Sequence, residues 1–404
     1  MDSAKQSPAP DHARLVLALN AGSSSIKLAL FAMAGAREVA RGSLDLQASP
    51  LALALSHGRQ RETVPLDAPV TESLQEVVHA LVEALESHAA LGDLAIAAHR
   101  VVHGGRRFVQ PVLLDGSTLD EIDALTPLAP LHQPQSVRLM RAVRAMRPEL
   151  PQSASFDTAF HATQDPLLRR FALPRRFHDE GVLRYGFHGL SYAWIARMLE
   201  RDDPAIAAGR VVALHLGNGA SLCAMHGGRS VDSSMGFSTL DGVPMGTRCG
   251  ALDAGVLLYL LKRPGTSVDA VEDMLYHRSG LLGVSGLSGD VRKLEEAAAT
   301  NAHAAEALAL FATRCAGEVG RLAASLQGLD ALVFTAGIGE HDAAMRAAIA
   351  GRLEWLGVVL DPGSNARHAR RIDAAGSRVP VLVIAADEEQ VIAADAIRLL
   401  DEPA

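Results

Sequence analysis

Asn20-Ala-Gly-Ser-Ser-Ser-Ile-Lys27 interrupts an apolar run, and a second apolar run follows at once. Backbone N–H groups, the hydroxyls of Ser23, Ser24 and Ser25, the Asn20 amide and the Lys27 ammonium are equipment for holding phosphate and a hydrated magnesium ion. The turn is not a Walker A loop, because G-x-x-x-x-G-K-[ST] is absent and the chain runs on into a strand. Gly and Ser also build plain tight turns, but the whole Asn-x-Gly-Ser-Ser-Ser-x-Lys set favours phosphate and metal. A second turn, His215-Leu216-Gly217-Asn218-Gly219, is by itself an ordinary Asn-Gly hairpin signal. Paired with the first, it reads as a second phosphate cradle. A third segment, Gly337-Ile338-Gly339-Glu340, predicts a glycine loop between a strand and a helix, where backbone can approach a nucleotide closely.

The cationic candidates are arginine and histidine. Arg100, in His99-Arg-Val-Val-His103, and Arg248, in Met245-Gly-Thr-Arg-Cys-Gly250, are flanked by small or apolar residues. That setting suits bidentate binding of a carboxylate or phosphate better than a solvated surface, with a structural ion pair as the other reading. His188, between Phe187 and Gly189, is placed to donate to a phosphoryl oxygen or to be a bonded core histidine. His132 carries the same two readings. His99 and His103 are four residues apart, but no H-E-x-x-H is present, which argues against zinc. Asp157 and Glu388 are the two acidic candidates for magnesium. Their structural readings are a helix N-cap and a charge on a helix first turn.

The elements that must position these residues alternate apolar strands with amphipathic helices, an α/β pattern. Strands are predicted at 15–19, 25–31, 94–98, 153–156, 211–216, 221–225, 331–334 and 379–384. Helices are predicted at 71–88, 135–145, 191–201, 268–277, 304–326, 341–353 and 388–400. The glycine-rich stretches 242–250 and 279–289 read as loops. Residues 19–30 can be laid over 214–225 as strand, glycine turn, strand, which suggests two related domains flanking a ligand cleft. The expected domains are 1–160 with 388–404, and 161–387, after a disordered tail at 1–13. With 404 residues, 49% apolar and 21% charged, the chain has the length and composition for two soluble domains. A net charge of −8 argues against a general nucleic-acid or anionic-membrane binder. Three scattered cysteines, no signal-peptide core and no spanning apolar run predict a cytoplasmic protein.

In combination these residues resemble the acetate kinase family. The first turn is similar to its N-terminal signature. His99–Gly105, Phe156–His161, Arg184–Gly189, His215–Ser221, Met245–Arg248 and Phe334–Glu340 follow in the family's order, from about Arg14 to Leu400. The resemblance implies two actin-like, ribonuclease H-like domains around a central cleft, and a homodimer. It implies reversible, Mg²⁺-dependent transfer of the ATP γ-phosphoryl group to acetate, giving acetyl phosphate and ADP, with Mn²⁺ able to substitute. It implies Asn20 and Glu388 as metal ligands, and Asp157, His188 and Arg248 as catalytic residues. Arg100, Val102, Leu131, His132 and Phe187 would bind the acid. Ser23, Ser25, Lys27, His215, Leu216, Gly217, Asn218, Gly219, Asp290, Val291, Arg292, Gly337, Ile338, Gly339 and Glu340 would bind ATP.

A carboxylic acid is already ionised at neutral pH and needs no general base. Asp157 therefore reads as a positioning carboxylate, and the barrier as repulsion between two anions, which Arg100, Arg248, His188 and Mg²⁺ would offset. Thr239 stands where many family members have Pro, and Gln133, Tyr192, His341 and Ala251–Gly255 also depart from the usual pattern. One methylene is worth only about 1–3 kcal/mol of discrimination, so a propionate or butyrate kinase stays an alternative. A non-kinase nucleotide-binding module and a sugar kinase are the alternatives from other classes.

Overall fold

The computed structural model describes residues 14–22, 25–58, 60–71, 74–88 and 93–401. Ser23 and the expected tail at 1–13 lie outside them. The chain divides into a first unit, Met1–Phe156 with Glu388–Ala404, and a second, Asp157–Asp387. Residues 157–160 fall in the second unit; just beyond them His161 and Thr163 bond to Ser230.

The first unit is built on β1 (Leu15–Ala21), β2 (Ser25–Ala32), β3 (Arg37–Asp45), β4 (Ala52–His57), β5 (Gln60–Pro65), β6 (Leu94–Val101), β7 (Val112–Leu113) and β8 (Gln152–Phe156). Their order is β5-β4-β3-β2-β1-β6-β8-β7. The β1–β5 pairs are antiparallel, whereas β6 joins β1, and β8 joins β6, in parallel. Side chains alternate faces along a strand. Leu17, Leu19, Ile26 and Leu28 therefore share one face and pack under Val77, Leu81 and Leu85 of the helix Gln75–His88. Each such buried aliphatic side chain contributes roughly 1.5–3 kcal/mol. The opposite face carries Ala18 beside Ala29 and Ala98, small residues over which the helix Glu388–Asp401 packs.

The second unit repeats the succession with β9 (Arg210–Leu216), β10 (Ala220–His226), β11 (Arg229–Ser233), β12 (Ala331–Thr335) and β13 (Val381–Val383), ordered β11-β10-β9-β12-β13. Val211, Ala213, Cys223 and Met225 pack against Tyr192, Ile195 and Leu199 of the helix Gly189–Asp202.

Several elements differ from expectation. Strands β3, β4, β5 and the two-residue β7 are additional; in β5 only Val64 is buried, so its sequence carries almost no apolar alternation. The expected helix 341–353 is three pieces: Ala336–His341, Ala343–Ala350 and the 3-10 turn Gly351–Leu356. Asp342 breaks it with non-helical angles while its carboxylate accepts from Met345 N at 2.8 Å. Gly337–Glu340 is thus not a loop but helix, directly after β12. The expected loop 279–289 contains a helix, Gly280–Ser285.

Candidate active site

In the first unit, alternation along β1 and β6 turns Asn20 and Arg100 to the face bearing the N-terminus of Glu388–Asp401. Arg100 donates to Asn20 Oδ1 at 3.0 Å, and its Nε lies 3.8 Å from Glu388. The Asn20 amide nitrogen donates to Glu388 at 3.2 Å and to Glu389 at 3.4 Å. The Glu388 carboxylate sits in a helix first turn, where negative charge is favoured. The sequence reading missed Glu389, which is buried and also holds Arg41. Ser25 opens β2, and Lys27 lines a separate cavity of about 580 Å³ in this unit with Arg41 and Arg61.

His99 points to the other face of β6, where burial lowers its pKa to about 4 and its Nε2 meets Gln152 at 2.8 Å. It is a core histidine. His103 accepts from Gly105 N through Nδ1 at 2.9 Å. Val102 is buried, and Leu131 and His132 are half-buried. Gln133, another residue the sequence reading left unassigned, is fully buried. Its amide donates to the His103 and Ile122 carbonyls and its oxygen accepts from His103 N, which clamps the Val102–Gly104 segment.

In the second unit, Phe187 and Asp157 are each 1% exposed, so neither is a surface group. Asp157 is not a helix N-cap: Thr158 occupies that position before Ala159–Thr163. A β-carbon on Gly189 would lie 2.0 Å from the Asp157 carbonyl, so glycine is what lets the helix start pass this backbone. His188 caps that helix in the left-handed region, φ 56° and ψ 26°, a conformation costing a non-glycine residue roughly 1–3 kcal/mol. The strain is held by His161, whose Nε2 donates to the Phe187 carbonyl at 2.9 Å. Burial lowers the His161 pKa to about 4.

The His188 ring stacks on His215 at 4.2 Å. His188 Nδ1 meets Ser221 Oγ, and His215 Nδ1 meets Ser191 Oγ, both at 2.8 Å. Arg248 donates to the Thr239 carbonyl at 3.0 Å. That contact uses backbone, so it does not depend on the side chain at position 239. A β-carbon on Gly219 would stand 3.3 Å from His188 Nε2 and 3.7 Å from an Arg248 terminal nitrogen. An imidazole nitrogen and a guanidinium therefore flank one glycine turn.

Beside this turn is a cavity of about 750 Å³. Gly217, Asn218, Asp290, Val291, Arg292, Gly337 and Ile338 line it, joined by His341 and His368. Asp290 caps the helix Val291–Ala298 and pairs with Arg292 at 2.9 Å, which holds its carboxyl below the usual range. Leu216 and Gly339 are buried and do not line the cavity, and Glu340 instead accepts from Ala386 N at 3.0 Å. Fully buried Arg346 donates to the Gly339 and Glu340 carbonyls and so fixes the end of the short helix.

A nucleotide-sized cavity beside a glycine turn that an imidazole and a guanidinium flank fits the phosphotransferase class. Residues 15–394 match the Acetokinase family. The chain is similar to an acetate kinase of Nitrobacter hamburgensis, 46% identical over 95% of this chain and 96% of that one. A propionate kinase structure from Francisella tularensis superposes with a TM-score of 0.88 at 34% identity, covering 95% of this chain and 98% of the other. An acetate kinase structure from Porphyromonas gingivalis gives 0.85 at 32%, covering 96% and 100%. The chain belongs to the acetokinase family, and its α/β fold is the two-domain, actin-like one.

Proposed function

We propose that the protein transfers the γ-phosphoryl group of ATP to acetate, reversibly and in line, without a covalent enzyme intermediate. The single observation that carries this reading is the His188–Arg248 pair flanking the Gly219 turn beside the 750 Å³ cavity. A donor and a fixed cation beside a phosphate-sized turn suit charge that develops on a transferring phosphoryl group. ATP takes the cavity, with backbone of Gly217–Gly219 and Gly337–Ile338 against its phosphates and base. Arg100 binds the acid carboxylate, with Val102, Leu131 and His132 of the same unit beside the methyl group. The acid arrives ionised, so Asp157 positions the reactants and removes no proton.

Asn20 and Glu388 offer an amide oxygen and a carboxylate within one hydrogen-bonded cluster. Among the described residues no group of three or more His, Cys, Asp or Glu side chains is gathered as for a metal cage. Two oxygen ligands, with waters and phosphate oxygens completing the shell, fit magnesium. When bound, Mg²⁺ supplies positive charge against the two anions, and Mn²⁺ replaces it. Three free cysteines fit a cytoplasmic location. The helix Ala254–Leu261 buries none of its residues; Leu258 is 56% and Tyr259 66% exposed, which supports a homodimer that covers this apolar face.

Trapping acyl phosphate with hydroxylamine, using ATP, Mg²⁺ and a panel of short-chain acids, tests the reading. The expected result is hydroxamate from acetate at the highest kcat/KM. Failure with every acid would sink it. A higher kcat/KM for propionate would favour the second reading, which the Francisella likeness supports and Thr239 leaves open.

A further inference from the structure

We propose that Ser221, backed by Tyr192, is a positioning residue that holds His188 with its ring proton on Nε2, turned toward the Gly217–Gly219 turn. This rests on the reading of His188 as a donor to the transferring phosphoryl group.

The β9–β10 register sets Ser221 opposite His215, on the face covered by the helix Gly189–Asp202. Ser221 and Tyr192 are fully buried. Ser221 Oγ is 2.8 Å from His188 Nδ1 and 2.5 Å from the Tyr192 hydroxyl. A phenol is a stronger donor and weaker acceptor than an aliphatic alcohol. Tyr192 therefore donates to Ser221, and the serine proton goes to His188 Nδ1. An Nδ1 that accepts leaves the ring proton on Nε2, the nitrogen 3.3 Å from a β-carbon placed on Gly219.

The neighbouring ring completes the restraint. His188 and His215 stack with 19° between their planes. Stacking opposes tilt, and the Ser221 hydroxyl opposes a ring flip. The other tautomer would aim a nitrogen lone pair at an anionic oxygen and repel it. The chain Tyr192–Ser221–His188 thus makes the imidazole a donor before any phosphate arrives.

The test uses full-length protein with ¹⁵N-labelled histidine, assigned with His188→Gln, and long-range proton–nitrogen NMR beside steady-state kinetics. In the unsubstituted protein His188 is expected to show a bare Nδ1 and a protonated Nε2. Ser221→Ala is expected to erase that signature and lower kcat about tenfold or more, with both KM values held within about twofold, as for loss of a transition-state donor. Ser221→Thr, which keeps the hydroxyl, restores signature and kcat. Should Ser221→Ala fail to fold, Tyr192→Phe decides through the same readouts, with a shifted tautomer balance and a kcat lowered a few-fold. A protonated Nδ1 in the unsubstituted protein, or native tautomer and kcat in the deciding variant, overturns the proposal. A folded protein that shows the signature and makes no acyl phosphate overturns the catalytic reading and leaves the hydrogen-bonded chain standing.

Discussion

Arg100 donates to the side-chain oxygen of Asn20 across 3.0 Å, although eighty residues separate them. The pairing exists because β1 and β6 are parallel neighbours and both residues point to the same sheet face. The Arg100 side chain is only 16% exposed. A charge-assisted hydrogen bond from it to an acid carboxylate is worth about 1.5–3 kcal/mol. Arg100→Ala is therefore expected to raise KM for the acid roughly 10- to 100-fold with a smaller change in kcat. Initial rates across an acid titration check this.

Arg248 is set beside the Gly219 turn and tethered to the Thr239 carbonyl. Its expected contribution lies in the transition state, so Arg248→Ala should lower kcat by roughly 100-fold or more and move KM little. Equal losses in both parameters for the Arg100 and Arg248 variants would contradict this division of roles.

Asn20 is shared between Arg100 and Glu388. Asn20→Ala removes a proposed magnesium ligand, and the Mg²⁺ concentration for half-maximal rate should rise about tenfold or more. Chelation of divalent ions should abolish turnover of the unsubstituted protein, with recovery on adding Mg²⁺ or Mn²⁺. Asp157→Asn should be nearly inactive from pH 6 to 9; full activity would remove Asp157 from the mechanism.

His99 and His161 are buried, one in each unit, and burial lowers the pKa of both to about 4. The unfolded chain takes up protons near pH 6.5, before the folded protein does. Stability from these groups is therefore complete above pH 6.5 and is lost as pH falls toward 4, at about 3 kcal/mol for each residue. Urea unfolding midpoints measured from pH 7 to 4.5 should fall accordingly. His161→Gln should flatten the dependence of the second unit.

Leu258 and Tyr259 are large, apolar and mostly exposed on a helix with no buried residue. Leu258→Glu with Tyr259→Glu should convert a dimer to monomer in sedimentation or light-scattering measurements. An unchanged dimer mass would remove this face from the proposed contact, and a monomer mass for the unsubstituted protein would overturn the proposed dimer.

The eight expected strands and six of the seven expected helices are recognisable in the sequence because their apolar residues repeat at strand or helix periods over whole elements. β5 was not recognisable, since an edge strand with five exposed positions needs no apolar alternation. The break at Asp342 also escaped notice: an acidic residue between two helical stretches looks the same whether it continues or caps them.

Sequence order was enough to single out the glycine turns, Arg100, Arg248 and His188 as candidates, because holding phosphate would restrict residue types at short spacing. It was also enough to mark β1–β2 and β9–β10 as related hairpins. It did not reveal that Gln133 clamps His103, that Glu389 joins Glu388 on Asn20, or that Ser221, bonded in turn to Tyr192, meets His188. Those contacts bring together residues that are ordinary in their local sequence. Only strand register and helix packing, acting over tens to hundreds of residues, decide which buried hydroxyl or amide meets which functional side chain.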